Sequence, residues 1–134
     1  MSKHYSLQTK PGEYDAILFD GLDWVVQQVG SRGMRIILVF TDYWEHHGGV
    51  SQYLEWAGSS STTKNAFYTS ISCKRMYRDN ARALINRFNP YTQLHYRDDP
   101  TIMAWELINE PRCRNCAGPL QSWLEEMARF VKKL

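Results

Sequence analysis

Ala104 to Arg112 reads AWELINEPR, and the fold turns on how this stretch is read. The run Ile102 to Leu107 (IMAWEL) is apolar apart from Glu106. It has the length of a strand and lacks the three-to-four spacing of a helix. Asn109-Glu110-Pro111 follows where such a strand must stop, because proline cannot donate to a ladder. Working outward, Arg35 to Phe40 (RIILVF) is a second continuously apolar run. Strands of that kind are covered on both faces in a parallel sheet. Between and around them lie helical patterns. Leu22, Val25, Val26 and Val29 fall at i, i+3, i+4 and i+7, with Asp20 as N-cap and Gly33 as stop. Tyr77, Ala81, Leu84 and Phe88 line a second helix, which Asn89-Pro90 ends. Leu120, Trp123, Leu124, Met127, Phe130, Val131 and Leu134 form the stripe of a third.

The order helix, strand, helix, strand, helix predicts an α/β fold of right-handed βα units with parallel strands. Two strands do not close a sheet, and a complete (β/α)8 barrel needs about 250 residues. At 134 residues, the chain is therefore either a small open α/β domain or a piece of a barrel.

The carboxyl ends of parallel strands are where catalytic groups collect. A carboxylate there, preceded by an amide, suits glycoside chemistry. The carboxyl group protonates a leaving oxygen, and the amide holds a sugar hydroxyl. Glu110 is thus the candidate acid/base and Asn109 the candidate sugar contact. A bare Asn-Glu-Pro is otherwise only a turn; the strand in front of it carries the functional reading.

The composition excludes several classes. The chain is 43% hydrophobic and 22% charged, with a net charge of +2 and no basic run, which argues against nucleic acid and anionic membranes as partners. The longest apolar run is too short to span a bilayer. Met1 to Lys10 lacks the apolar stretch of a signal peptide. Adjacent His46 and His47, with no spaced third ligand, do not predict a metal site. Cys113 and Cys116 form one CxxC with no second pair and no nearby His, so zinc is not expected. Gly58 to Thr63 (GSSSTT) reads as a surface loop within a long connection, Thr41 to Ser72.

Asp98 to Cys113 (DDPTIMAWELINEPRC) resembles glycoside hydrolase family 5, and within it the eukaryotic endo-β-1,4-mannanases. LQTKPGEYD, FDGLDWVVQQV, RIILVF, GGVSQYLEWAG, CKRMYRDNARALINRFN and HYRDDP resemble successive blocks of those enzymes, in order. The resemblance implies about half of a (β/α)8 TIM barrel, with residues 1–134 forming one partial catalytic domain from barrel helix 2 to helix 4. It implies that Glu110 is the general acid/base of a retaining enzyme acting on mannan, glucomannan or galactomannan, with Asn109 touching the sugar. The family's nucleophile lies on the seventh strand, outside these residues, so the chain is expected to be inactive alone. TDYWEHHGG resembles the substrate-cleft loop, which makes Trp44 and Tyr43 candidate sugar contacts. Tyr53 and Trp56 are expected in the core. Asp42 stands near family asparagines of the cleft. Glu106 is expected to be buried and hydrogen-bonded. Related NEPRCxxC segments carry a bridge, which implies a Cys113–Cys116 disulfide. The family implies no metal or cofactor, and an extracellular location. The competing readings are a β-1,4-glucanase of the same family and a non-catalytic, truncated or glycan-binding remnant.

Overall fold

A computed structural model describes residues 6–45 and 48–134; the His46-His47 pair lies outside them. The two apolar runs form strands β3 (Ile36–Val39) and β6 (Ile102–Glu106), which pair in parallel with Leu38 opposite Trp105. Two antiparallel hairpins flank the helices: β1 (Gln8–Lys10) with β2 (Glu13–Tyr14), and β4 (Phe88–Asn89) with β5 (Leu94–His95). The helices are α1 (Ala16–Ser31), α2 (Val50–Trp56), α3 (Ile71–Ile85) and α4 (Ala117–Val131).

Five readings of the sequence are corrected. Helix α1 is capped by Asp15, not Asp20: the Asp15 carboxylate accepts from the backbone N–H of Ile17 and Leu18. Helix α3 ends at Ile85, so Phe88 belongs to β4 and is exposed. The long connection after β3 is not irregular throughout. It contains α2 and a 3-10 segment, Lys64–Tyr68, whose Phe67 and Tyr68 are buried. The strands are covered on one face only. Ile37 is 55% and Val39 45% exposed, because all the described helices pack on the other side. Glu106 follows the same logic and is exposed rather than buried.

The core lies between that covered face and the helices. Phe40 stacks on Trp105 at 4.9 Å with planes 3° apart. Phe67, Tyr77 and Trp123 meet edge-on or tilted within 6.5 Å of one another. Such aromatic clusters add packing geometry to area burial. Tyr53 is buried, and Trp56 is half-buried against it at 5.6 Å. Lys74 and Arg78 of α3 both donate to Glu126 of α4.

Burial raises the phenol pKa of Tyr14 and Tyr68 to about 12, and also raises those of Tyr53, Tyr77 and Tyr96. A raised native pKa favours the protonated native form. Stability from this source is complete below pH 10, the ordinary tyrosine value, and is lost as pH climbs through the native values. The melting temperature is therefore expected to hold up to about pH 10 and fall steeply between about pH 10 and 12. A flat thermal-melt profile across that window would contradict the buried-tyrosine assignment.

Candidate active site

Strands β3 and β6 carry the site at their carboxyl ends. Past the ladder, Asp42 and Asn109 form one further parallel bridge. The Asn109 N–H donates to the Thr41 carbonyl at 2.9 Å, and the Tyr43 N–H donates to the Asn109 carbonyl at 3.1 Å. The two loops thus leave the sheet in register.

Glu110 follows with φ at +45°, in the left-handed region that non-glycine residues rarely occupy. Outliers of this kind collect at functional sites, where surrounding structure holds them. The turn lifts the Glu110 side chain to solvent, where the Trp44 indole N–H donates to its carboxylate at 2.8 Å. Arg112 approaches the same oxygen at 3.6 Å, and its guanidinium lies 4.9 Å from the Trp44 ring. Asn109 uses its amide N–H to bond the Asp42 carboxylate at 3.1 Å, and among the described residues the amide oxygen has no donor. The other Asp42 oxygen accepts from the Trp44 backbone N–H at 2.9 Å. Asp42 therefore orients its neighbours, a role its cleft position alone did not reveal.

Gly49 explains the tightness of the Trp44 turn. A Cβ there would lie 1.7 Å from the Trp44 carbonyl oxygen, so only glycine lets the start of α2 pack against the loop. Tyr43 is half-buried against the core and meets the Trp44 ring edge-on at 5.4 Å. Downstream, Cys113 and Cys116 are joined by a disulfide with Cα atoms 5.2 Å apart. Cys73 is free and buried, and burial raises its thiol pKa. Among the described residues, no group of three or more His, Cys, Asp or Glu side chains is placed to hold a metal. No described helix is long and apolar enough to cross a membrane.

Parallel strands backed by helices, with a solvent-facing carboxylate lifted from their carboxyl ends, define the class: an α/β barrel segment with a polar cluster at its strand ends. Residues 2–134 match the family described as GH family 5 beta-mannosidase-like, and the chain belongs to that family. It is 42% identical over 134 residues to mannan endo-1,4-beta-mannosidase 7 of Arabidopsis thaliana, covering 96% of this chain and 31% of that protein. It is equally identical to mannan endo-1,4-beta-mannosidase 8 of Oryza sativa subsp. japonica, covering 36% of it. Among solved structures, the endo-beta-1,4-mannanase of Thermotoga petrophila superposes with a TM-score of 0.86 at 35% identity, over 93% of this chain and 29% of that one. The family 5 mannosidase of Rhizomucor miehei superposes at 0.84 and 25% identity, over 99% and 35%. The chain spans about a third of the length of these relatives. Its fold is accordingly part of a family 5 TIM barrel, with parallel strands and helices.

Proposed function

We propose that residues 1–134 are the acid/base-bearing part of the catalytic domain of a retaining endo-β-1,4-mannanase. The observation that carries this reading is the Glu110 carboxylate, held by the Trp44 indole at 2.8 Å beyond the carboxyl end of β6. Family membership and the mannan endo-1,4-beta-mannosidase relatives support mannan as the substrate class. Glu110 protonates the glycosidic oxygen as the bond to the anomeric carbon breaks. A carboxylate from outside these residues attacks that carbon to form a glycosyl-enzyme. Glu110 then removes a proton from the water that releases the sugar. The free oxygen of the Asn109 amide accepts a hydrogen bond from the sugar's 2-hydroxyl, and the Trp44 ring offers an apolar face to the pyranose. Mannan, glucomannan and galactomannan all present the required linkage. The bridged Cys113–Cys116 pair supports an extracellular location, since oxidising compartments maintain such bonds.

Double displacement needs two carboxylates about 5–5.5 Å apart. Within these residues, Asp42 is committed to Asn109 and Trp44, and Glu106 lies four residues back, within the strand. Residues 1–134 alone are therefore expected to release reducing ends from galactomannan at no more than a trace rate. The assay compares them with a version extended by the remaining barrel strands. Brisk turnover by the short form, abolished by Glu110→Gln, would place the nucleophile inside these residues and overturn the proposed division of roles.

A further inference from the structure

The two loops that carry the site are both held by a third segment. The 3-10 residues Lys64–Tyr68 sit on the core through Phe67 and Tyr68, which are 0% and 1% exposed. Phe67 packs 5.4 Å from Trp123. From that seat, the Tyr68 hydroxyl donates to the Arg112 carbonyl at 3.1 Å, and the Asn65 amide donates to the Arg114 carbonyl at 3.0 Å. These bonds fix the loop that follows Glu110. Lys64 reaches the other way. Its ammonium donates to the Tyr43 carbonyl at 3.0 Å and lies 4.8 Å from the Tyr43 ring and 5.8 Å from the Trp44 ring.

We propose that Lys64 is a positioning residue of the candidate active site: by clamping the Tyr43–Trp44 turn, it keeps the Trp44 indole N–H on the Glu110 carboxylate. The inference rests on Glu110 as the acid/base. Three features single Lys64 out from an ordinary surface lysine. A bond to a backbone carbonyl fixes the chain itself rather than another mobile side chain. A cation near an aromatic ring is attracted to its electron-rich face. The side chain is only 24% exposed, so its ordering is already imposed by packing. A further contact, with Glu45 at 3.8 Å, involves a carboxylate that is 72% exposed and contributes little. Lys64 does not touch Glu110; it acts through Trp44. Because Asn65 and Tyr68 hold the opposite loop from the same five-residue segment, the span between Trp44 and Glu110 is set by one rigid piece.

The test uses residues 1–134 labelled with 15N. The Trp44 indole N–H resonance is assigned by its disappearance in Trp44→Phe and followed between about pH 3 and 7, the range in which a carboxyl group titrates. In the parent chain, this resonance is expected to shift through a single transition that Glu110→Gln removes. In Lys64→Met, the amplitude is expected to fall by about half or more as the bonded population drops. Lys64→Arg, which keeps the cation and donors, should restore it. A lysine that merely stabilised the fold would lower the melting temperature and leave the amplitude intact. Full amplitude in Lys64→Met, or in Lys64→Gln should the methionine variant be unfolded, overturns the proposal. Addition of β-1,4-mannohexaose separates this from the substrate reading. If a complete barrel carrying these residues binds no β-1,4-mannohexaose while the titration still depends on Lys64, the mannan assignment fails and the clamp stands.

Discussion

Glu110→Gln, made in a protein that carries these residues within a complete barrel, is expected to lower turnover of mannan by about 10²–10⁴-fold, the usual contribution of a positioned acid/base. Glutamine keeps the shape of the side chain and an oxygen that accepts the Trp44 indole N–H, so the turn at φ +45° and the loop contacts persist. What disappears is the transferable proton. The loss should therefore fall on kcat, with KM changed little, because the substrate contacts assigned to Asn109 and Trp44 remain. The pH profile discriminates further: the limb reporting the acid should vanish in the variant. A loss confined to KM would instead make Glu110 a binding group, and full activity would remove it from the mechanism. Arg112 needs a control, since it approaches the same oxygen at 3.6 Å. Removing its charge should leave turnover in place, whereas Glu110→Gln should not.

The parts of this site that were legible in the sequence are those written in local pattern. Strands β3 and β6 announced themselves as short apolar runs, and Asn109-Glu110-Pro111 marked the carboxyl end of the second. Helix α4 carried a clean stripe. Other features had no local signature. Helix α2 has seven residues behind Gly48-Gly49, too short for periodicity to separate it from a loop. The start of α1 was misplaced because Asp15 and Asp20 are equally good caps by residue type; only the bonds to Ile17 and Leu18 decide between them. Strand coverage was over-read because an apolar run records the environment of a whole barrel, whereas these residues place helices on one face only. Lys64 follows a Ser/Thr loop and has no local pattern that sets it apart. Its role follows from a contact with Tyr43 across 21 positions, which no spacing rule encodes.

Asp23 is the clearest case of a residue whose weight the sequence concealed, and Asp23→Ala is expected to have the largest effect on stability. It lies on the buried stripe of α1 and is 0% exposed. Its carboxylate accepts from the Arg87 guanidinium at 2.9 and 2.5 Å and from the Tyr96 hydroxyl at 2.7 Å. Its backbone carbonyl accepts from the buried Asn89 amide at 2.9 Å. Arg87 in turn lies 3.9 Å over the Phe19 ring. The cluster thus ties α1 to the β4–β5 hairpin and to the segment that feeds β6. Alanine at position 23 would strand a guanidinium and a phenol beside apolar groups, and breaking one side of a buried pair costs about 3–5 kcal/mol. The Arg87 side chain is 26% exposed and regains some water, so the lower end, about 3 kcal/mol, is expected. A double variant, Asp23→Leu with Arg87→Met, replaces both charges by apolar groups and should lose clearly less than the sum of the single changes. Urea unfolding of the parent, Asp23→Leu, Arg87→Met and the double variant measures this cycle. Additive losses would mean that Asp23 and Arg87 stabilise the fold independently, and the clasp between α1 and the hairpin would have to be abandoned.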